Sequence, residues 1–449
     1  MTDPADRRLV PPHPPRLPGP VPVWRGFFGE RARTAVHGWS QRAFETWSIE
    51  RKVLGIRVHI PLHPDAVQRV LLDNAANYEK PRLVKGLLAP TIGRGLLMAD
   101  GALWREQHRI EASSFAPAAV DALLPMFRRI AQARAATWSD GRADMAQEST
   151  VTTMTVIADA LFGGDARLKT PAALAHITAA MEGVTQARLP TLLGLPILPL
   201  TPKLRAGRNG QKFLRSTLAA VVSDRLPDGG ADDFLGRLIR DLLARFPAAE
   251  ASDLAVDNAA TFYLAGHETT ANALSWSLYL LSEQPNLQEQ AAAEAEAALR
   301  SGGDLSPQLP LLRAVLEEAL RLYPPVPRMD REAVAADRLG EARVYPGDIV
   351  SIWPWLLHRH TKLWDDPDAF SPTRFAAGRT RPHRFQYLPF GAGPRVCVGA
   401  RFAAAEALTV LACWLSKWRF RPVPDRQVRP SGMVTLRPAG GLPLIRERR

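Results

Sequence analysis

One cysteine of the chain stands in a setting that favours chemistry. Cys397 lies near the end of a loop rich in glycine and proline, residues 390–399, and helical spacing predicts a helix from about Ala400. The positive end of a helix favours negative charge, so we expect this thiol to ionise more easily than a free one. A thiolate framed by glycines serves as a nucleophile or as a metal ligand, and the loop alone does not choose between them.

The remaining cysteine content excludes several kinds of site. Cys413 falls on the apolar face of the same predicted helix, where we expect it only to pack. Two cysteines are too few for a disulfide scaffold, a cysteine-rich zinc module or a four-thiolate iron–sulfur cluster. The loop is also no dinucleotide-binding motif, because Val396 stands where the third glycine after Gly391 and Gly393 belongs.

A second group of reactive residues interrupts a long helical pattern, residues 252–284. Ala265, Gly266, Glu268 and Thr269 lie at its centre, where glycine alone costs about 1 kcal/mol in a helix. Glycine admits a planar ligand close to the backbone, a threonine hydroxyl can open a local kink, and the carboxylate can relay protons. A helix-packing notch beside a surface glutamate explains the pattern equally well. A zinc site is excluded, since position 271 is alanine rather than a second histidine.

Two further patterns precede the cysteine loop. Glu318 and Arg321 lie three residues apart on one predicted helical face, ahead of Pro324, and Arg374 follows in the segment 364–375. Each pattern alone is typical of a surface ion pair or a loop. Together, and in this order before Cys397, the two patterns point to one particular protein family.

The sequence resembles the cytochrome P450 family of haem-thiolate monooxygenases. The resemblance runs from the proline-rich beginning to the segment 435–443. The family's cysteine loop, Phe-x-x-Gly-x-Arg-x-Cys-x-Gly, is met at every position by five residues, namely Phe390, Gly393, Arg395, Cys397 and Gly399. It implies a cytochrome P450 fold and an enzyme that inserts one oxygen atom of O2 into a hydrophobic organic substrate, by C–H hydroxylation or a related oxidation.

The resemblance also implies how haem b, iron protoporphyrin IX, is held. Cys397 is expected to be the axial ligand of the iron, with Phe390 near its sulfur and Gly393 in the loop. Further contacts are expected from Ala265 on the distal side and, at the propionates, from Arg395, Trp104, His108 and Arg331, with Arg328 as the fallback for Arg331. Many relatives carry arginine where His108 stands. Glu318, Arg321 and Arg374 are expected to form a buried ion-pair triad with a structural role.

The catalytic residues implied by the resemblance lie in the long central helix. Gly266 is expected against the distal haem face, Thr269 beside the bound oxygen and Glu268 in the proton relay. The intact pair of Glu268 and Thr269 argues against a haem-thiolate sensor without turnover and against a peroxide-using oxygenase. The remaining alternative to a monooxygenase is a basic nucleic-acid-binding protein. Such a protein would bind DNA and would contain no haem.

The elements that must position these residues are mostly helical. Apolar residues recur at helical spacing over seven ranges, which are 102–137, 210–225, 232–246, 252–283, 286–300, 309–322 and 399–417. Strands are expected at 53–60 and on either side of a turn within 343–350. The fold class is therefore mainly α with a smaller β-sheet region. We expect an extended proline-rich arm, 1–22, and one haem-binding domain, 23–449. The apolar, proline-broken stretch 189–200 suits either a core-packed loop or a flap over a substrate entrance.

Charge and composition bear on partners and location. Lys and Arg number 57 against 45 Asp and Glu, a net charge of +12, yet no nucleic-acid-binding motif accompanies the arginines. Electrons must come from another protein, and we expect an acidic ferredoxin or flavodoxin with its NAD(P)H reductase, docking on seven arginines: 105, 109, 128, 129, 379, 381 and 384. No apolar stretch is long enough to span a membrane, so we expect a cytoplasmic protein without a transmembrane anchor. We also expect it to be a monomer. The sequence does not identify the substrate, though an apolar pocket near Val326, Met433 and Val434 is expected.

Overall fold

The computed structural model describes residues 9–19, 29, 34–192, 197–226, 233–303 and 305–449. Contacts group the chain into two compact units. Unit 1 contains the described residues up to 78, together with 124–150 and 269–449. Unit 2 contains 79–123 and the described residues of 151–268.

Helices dominate the described residues, which confirms the predicted mainly α fold class. They are α1 (Pro64–Gln68), α2 (Arg82–Ile92), α3 (Gly101–Ala112), α4 (Pro117–Asp121), α5 (Leu124–Ala136), α6 (Met145–Phe162), α7 (Pro171–Leu192), α8 (Pro202–Ser223), α9 (Phe234–Leu243), α10 (Ala248–Ser282), α11 (Pro285–Ser301), α12 (Pro310–Leu322), α13 (Pro354–Leu357) and α14 (Ala400–Leu415). Among the described residues, none of these helices has both the length and the apolar character needed to cross a membrane.

The strands are short and form small sheets. They are β1 (Ser48–Val53), β2 (Ile56–Pro61), β3 (Tyr78–Glu79), β4 (Gly141–Asp144), β5 (Met329–Ala333), β6 (Asp337–Leu339), β7 (Ala342–Val344), β8 (Ile349–Ile352), β9 (Trp418–Pro422), β10 (Pro430–Ser431), β11 (Arg437–Pro438) and β12 (Pro443–Arg448). The largest sheet has the order β1-β2-β8-β5-β3, and a second has the order β4-β12-β9. The pairs β10-β11 and β6-β7 stand apart.

The single strand expected at 53–60 is a hairpin instead. Strands β1 and β2 pair antiparallel, from Ser48 opposite Pro61 to Val53 opposite Ile56. Leu54 and Gly55 form the two-residue turn with φ of 49° and 86°. Turns of this kind favour positive φ at both central residues, and leucine gives little sign of that in the sequence.

The strand–turn–strand pattern at 343–350 is present, but its two strands do not pair with each other. Strand β7 pairs with β6, while β8 pairs parallel with β2 and antiparallel with β5. The turn between β7 and β8 therefore joins two different sheets. Gly347 supplies the positive φ, 86°, that this turn requires.

Helix α14, which follows the cysteine loop, lies in the core of unit 1. It is buried almost all round from Ala407 to Leu415, and Trp414 packs against Trp138 with ring centroids 4.9 Å apart. Elsewhere in this core Trp276 stacks on Tyr323 at 3.7 Å. Cys413 is 2% exposed within α14, so the prediction that it only packs is confirmed.

Unit 2 has its own core and one very close helix pair. Three phenylalanines from different segments pack ring against ring at 4.9–5.7 Å, namely Phe115, Phe234 and Phe262. Helices α7 and α8 meet at Gly183 and Gly207, where a Cβ on either glycine would lie 2.6–2.7 Å from the Cα of the other. Glycine at both positions therefore lets the two backbones touch.

Two helix predictions differ from the structure. The range 102–137 contains three helices, α3, α4 and α5, because the chain turns extended at Ala116 before Pro117 starts α4. The predicted ranges also miss three long helices, α2, α6 and α7, and two short ones, α1 and α13. Helix α6 is rich in threonine, which ordinarily favours strands, but its hydroxyls bond back within the helix, as from Thr155 to the Val151 carbonyl at 2.8 Å.

The proline-rich arm is described over residues 9–19, whereas 1–8 and 20–22 of the predicted arm lie outside the described residues. Its backbone carbonyls accept hydrogen bonds from later residues of unit 1: Tyr323 donates its hydroxyl to the Pro12 carbonyl at 2.7 Å, and Phe370 donates its N–H to the Leu9 carbonyl at 2.8 Å. Arg16 forms an ion pair with Asp368. The described part of the arm is thus tied to unit 1 by specific contacts.

Candidate active site

The cysteine loop of unit 1 is closed by its own backbone hydrogen bonds. The N–H of Cys397 donates to the Phe390 carbonyl at 2.9 Å, and that of Val396 donates to the Gly393 carbonyl at 3.1 Å. Gly391 and Gly393 have φ of 71° and 70°, a region that glycine occupies without strain. The loop is therefore a compact turn that leads directly into α14.

Gly393 is required by contact as well as by conformation. A Cβ at this position would lie 1.7 Å from the carbonyl oxygen of Leu71 and 2.7 Å from its carbon. Leu71 belongs to a helical turn, Arg69–Asp73, that packs directly on the loop. The loop thus rests on fixed backbone beneath it.

The two cysteines differ in access, and the thiol of Cys397 is not pre-ionised. The Cys397 side chain is exposed whereas that of Cys413 is buried. The protein packed around Cys397 nevertheless raises the pKa of its thiol, an effect larger than the lowering by the Gly399 N–H. The expected ease of ionisation at the start of α14 is therefore outweighed by desolvation. A coordinated metal reverses that balance, since it deprotonates its thiol ligand.

The predicted ion-pair triad is formed behind this loop. Arg321 donates from Nε and Nη2 to the two carboxylate oxygens of Glu318, each at 2.7 Å, and both residues are fully buried. The Nε of Arg374 lies 3.4 Å from Glu318 Oε1, and the Ser371 N–H donates to the same oxygen at 2.9 Å. The prediction that these three residues pair is confirmed.

The arginines considered for the propionates differ in the hydrogen bonds and ion pairs that they form. Arg328 forms an ion pair with Asp330 at 2.9 Å, and its guanidinium lies 5.3 Å from the centre of the Trp353 ring. Arg331, on β5, is buried and donates to the Asp330 carbonyl at 2.9 Å. Arg395 is half-buried in the cysteine loop. The Arg328 guanidinium already has a carboxylate partner, and the role of Arg331 at a propionate stays a prediction.

Helix α10 is buried along most of its length, but an accessible window interrupts its middle. Its residues from Ala251 to Leu281 are largely buried, but Ala265 is exposed, and Gly266, Glu268 and Thr269 are half-buried. Small and polar side chains that remain accessible in the middle of a buried helix are suited to contact with a ligand. The predicted residues Ala265, Glu268 and Thr269 are therefore all at least partly accessible.

Gly266 meets a packing requirement within unit 2. A Cβ there would lie 2.4 Å from Cδ1 of Ile157 on α6, and Thr153 of α6 donates to the His267 carbonyl at 2.9 Å. Of the two interpretations of this glycine, the helix-packing notch explains its missing side chain. The neighbouring Ala265, rather than Gly266, is the residue most exposed in the window.

Trp104 and His108 share one side of α3, as their spacing predicts. Both are half-buried, and their ring centroids lie 5.1 Å apart. Between them Gln107 is fully buried and donates to the Arg94 carbonyl at 3.0 Å, which ties α3 to the preceding loop. Neither ring is a freely solvated surface group, which suits a role in binding.

Some buried polar residues near these elements were missed from the sequence. Glu111 on α3 and Glu406 on α14 are almost fully buried, and burial raises the pKa of each carboxyl well above its usual range. Helical spacing offered a signal for Glu406, since it lies four residues after Phe402 on the apolar face of α14. His358 is buried as well and binds residues far away in the sequence, which spacing does not reveal.

The residues present fit a haem with a thiolate ligand. An accessible thiol stands on a loop that leaves no room for a side chain at Gly393, arginines lie within that loop and on β5, and a mostly buried helix has an accessible stretch of small and polar residues. Within the described residues, no group of three or more histidine, cysteine or acidic side chains is arranged to hold a bare metal ion. The donor set therefore suits one axial ligand better than a protein-only metal centre.

Comparison with known proteins agrees with this site. A family model described as Cytochrome P450 matches residues 18–442. Cyclooctatin synthase of Streptomyces melanosporofaciens is 34% identical over 403 residues, which cover 87% of this chain and 86% of that protein. Human Cytochrome P450 4F2 is 30% identical over 413 residues, 85% of this chain and 79% of that protein.

A solved structure shares the fold. The crystal structure of CYP175A1 from Thermus thermophilus superimposes with a TM-score of 0.72 at 28% identity, and the match covers 89% of this chain and 92% of that one. Members of the family that these matches define bind haem and use O2, a substrate and redox partners. The accessible thiol, the buried triad and the matches over nearly all of its length show that this chain belongs to the cytochrome P450 family and is a monooxygenase.

Proposed function

We propose that Cys397 is the axial ligand of haem b and that the chain inserts one oxygen atom of O2 into a hydrophobic organic substrate. The observation that carries this proposal is the accessible Cys397 thiol on a loop built from glycines, in a chain whose other thiol is buried. When bound, the haem supplies an iron that binds oxygen and accepts electrons. The residues of the chain hold the haem, orient the substrate and deliver protons.

We propose that Arg395 and Arg331 bind the haem propionates, together with Trp104 and His108. Guanidinium groups suit carboxylates because their donors form a fork. Arg331 is held on β5 by its own bond to Asp330, so its side chain is oriented before any ligand arrives. Phe390 packs against the core of unit 1, which fixes its ring beside the loop.

The accessible window of α10 supports a proton-delivery role. We propose that the Thr269 hydroxyl would donate a hydrogen bond on the distal side of the haem and that the Glu268 carboxyl would pass protons toward that hydroxyl. Both side chains are half-buried, which lets them contact a ligand while water remains scarce. Ala265, without a polar group, leaves space for the haem, and Gly266 allows α10 to stay in place against α6.

Three accessible apolar residues of unit 1 support a hydrophobic substrate. Val326 is 38% exposed, and Met433 and Val434 are half-buried. Apolar side chains that remain accessible suit a ligand of the same character. Of the stretch 189–200, residues 193–196 lie outside the described residues, while Ile197, Leu198 and Leu200 are exposed. That exposure disfavours a core-packed loop, and the entrance flap stays a prediction.

We propose that electrons come from an acidic ferredoxin or flavodoxin with its NAD(P)H reductase. Of the arginines considered in unit 1, Arg379 and Arg384 are exposed, whereas Arg381 pairs with Glu317 at 2.5 Å. In unit 2, Arg109 pairs with Glu106, also at 2.5 Å, which makes Arg109 less suited to dock an acidic partner. Arg379→Glu with Arg384→Glu should slow reduction and flatten its salt dependence, while Lys52→Glu on the β1–β2 hairpin should not. Equal rates in all three proteins would remove this docking proposal.

We further propose that residues 23–449 form a single haem-binding domain in a cytoplasmic monomer. Helices α6 and α10 each contribute residues to both units, so two of the boundaries between the units fall within continuous helices. One calorimetric unfolding transition and a monomer mass in sedimentation are the expected results. Two separate transitions would contradict the single domain.

The decisive experiment is the visible spectrum of the purified protein. We expect a ferrous carbon monoxide complex with the red-shifted Soret band of thiolate ligation. Cys397→Ser should remove that band, and Cys413→Ser, at a buried cysteine, should keep it. A wild-type protein without the band, or a Cys397→Ser variant that retains it, would disprove the proposed ligand.

A further inference from the structure

His358 lies fully buried just after α13 and uses both ring nitrogens. Its Nε2 accepts the backbone N–H of Leu388 at 2.8 Å. Its Nδ1 lies 3.2 Å from the carbonyl oxygen of Arg321. Because Nε2 accepts, the ring proton must stand on Nδ1, which therefore donates to Arg321. One neutral tautomer satisfies both contacts.

The surroundings keep this imidazole neutral. Burial, followed by the positive charge of Arg321, lowers the pKa of His358 to about 3. A second proton on Nε2 would face the Leu388 N–H, donor against donor. The bridge through the ring therefore has the same form throughout the neutral pH range.

The two ends of this bridge lie in the machinery already described. Arg321 belongs to the buried triad, and its Nη1 donates to the backbone carbonyl of His358 at 2.7 Å. Leu388 precedes the cysteine loop, and its carbonyl accepts the N–H of Gly391 at 3.3 Å. Within the loop, the Cys397 N–H donates a further hydrogen bond to the Phe390 carbonyl at 2.9 Å. Hydrogen bonds, joined through the backbone of residues 388–391, thus connect the triad through His358 to the thiol-bearing loop.

We propose that His358 is a positioning residue for Cys397, because it holds Leu388 against α12 and so fixes where the cysteine loop begins. The inference rests on the proposed role of Cys397 as iron ligand. An apolar residue of similar size would fill the same space but leave the Leu388 N–H and the Arg321 carbonyl without this partner, an expensive state in a fully buried position.

Three substitutions separate the two ends of the bridge. In His358→Gln the side-chain oxygen can reach the position of Nε2 and still accept from Leu388. In His358→Asn the amide nitrogen can replace Nδ1 toward Arg321, but the side chain is too short for Leu388. His358→Phe fills the volume and loses both bonds. If the residue acts through the loop, Gln retains its effect, while Asn and Phe do not.

A neighbouring buried histidine provides the control. His360 has its Nε2 3.0 Å from the Thr46 carbonyl and stacks on Trp47, so its ring contacts a different segment from that of His358. His360→Phe should lower stability to a degree comparable with His358→Phe. It should leave the ligation of the iron unchanged.

The first readout is the fraction of the red-shifted Soret band in the ferrous carbon monoxide complex of the holoprotein. We expect His358→Asn and His358→Phe to lower that fraction by roughly two- to tenfold, and His358→Gln to restore most of it. The proposal is wrong if the Asn and Phe variants keep the wild-type fraction, or if His360→Phe loses as much.

The second readout does not depend on thiolate ligation. Hydrogen exchange at the Gly391 and Cys397 amides should be about tenfold faster in His358→Asn than in the wild type or His358→Gln. Unchanged exchange would overturn the inference. A wild type without the red-shifted band would disprove the proposed function instead, and the exchange comparison would then still decide whether His358 fixes the loop.

Discussion

The Cα of Gly393 packs so closely on the carbonyl oxygen of Leu71 that a Cβ would lie 1.7 Å from it. Gly393→Ala should therefore cost about 3 kcal/mol or more in the free energy of unfolding, because both partners are backbone and neither can yield cheaply. Gly378 also has a positive φ, 81°, but nothing lies within 4 Å of its missing side chain. Gly378→Ala should cost only about 1 kcal/mol. Urea unfolding of both variants, with haem content measured in parallel, checks this; equal losses would contradict it.

Two adjacent glutamates on α12 differ in burial and should differ in importance. Glu318→Gln leaves Arg321 charged and fully buried, so we expect a loss of about 3–5 kcal/mol in stability. Glu317 pairs with the exposed Arg381, and Glu317→Gln should change stability by about 1 kcal/mol or less. Thermal unfolding of the two variants checks the difference. A well-folded Glu318→Gln protein would show that the triad contributes little.

The packing explanation of Gly266 predicts a rescue. Gly266→Ala should cost about 1–3 kcal/mol, because its Cβ would lie 2.4 Å from Cδ1 of the buried Ile157. Ile157→Val removes that carbon, so the double variant should recover about 1 kcal/mol relative to the sum of the single changes. Gly86→Ala, in α2 with nothing within 4 Å, should stabilise instead. Additive effects in cofactor-free protein would favour a role in ligand approach alone.

The buried Glu111 should make stability fall as pH rises. Burial raises the pKa of its carboxyl in the folded chain above the ordinary 4.5, so the folded state holds a proton that the unfolded state releases. Its contribution is complete below pH 4.5 and is lost progressively above it. Glu111→Gln should therefore gain about 1–3 kcal/mol at about pH 7 over wild type and nothing near pH 4.

Glu106, at the surface of the same helix, provides a control of opposite sign. Hydrogen bonds from Arg109 and Arg245 lower the pKa of its carboxyl, so its contribution is present above pH 4.5 and is lost as pH falls. Glu106→Gln should lower stability at neutral pH rather than raise it. Urea unfolding from mildly acidic to mildly alkaline pH measures both slopes, and parallel curves for Glu111→Gln and wild type would contradict the assignment.

The two adjacent threonines of α10 should separate in their effect on turnover. Thr269 lies in the accessible window, whereas Thr270 is 3% exposed. Thr269→Ala should retain haem but divert several-fold more of the consumed electrons to hydrogen peroxide, because a proton-delivery hydroxyl is lost. Thr270→Val should keep the wild-type ratio of product to peroxide. Measuring reductant, product and peroxide together tests this, and unchanged coupling in Thr269→Ala would count against the role of Thr269.

The sequence predicts those parts of the site that depend on neighbours in the chain. The cysteine loop, the i and i+3 pair of Glu318 and Arg321, and the shared side of Trp104 and His108 follow from spacing alone. The burial of Arg321 and the pairing of Arg374 with Glu318 also follow the family pattern. These features are local, or belong to a motif whose order is distinctive.

What the sequence does not predict depends on distant contacts. Gly266 is a packing residue because Ile157, from a separate helix far back in the chain, lies against it. The pKa of Cys397 is set by the protein packed around it more than by the start of α14. His358 contacts Arg321 and Leu388, 37 and 30 residues away. No periodicity encodes such contacts, since they arise when separate segments pack together.

The docking of the arm matters for how the protein is produced. Pro12 and Leu9 accept hydrogen bonds from Tyr323 and Phe370, and Arg16 pairs with Asp368, in the segment whose carbonyls also receive Arg321. A purification tag fused ahead of residue 9 leaves those contacts intact. A truncated protein that begins at Gly19 would lose all three of these contacts. The surroundings of the buried triad would then be less well held.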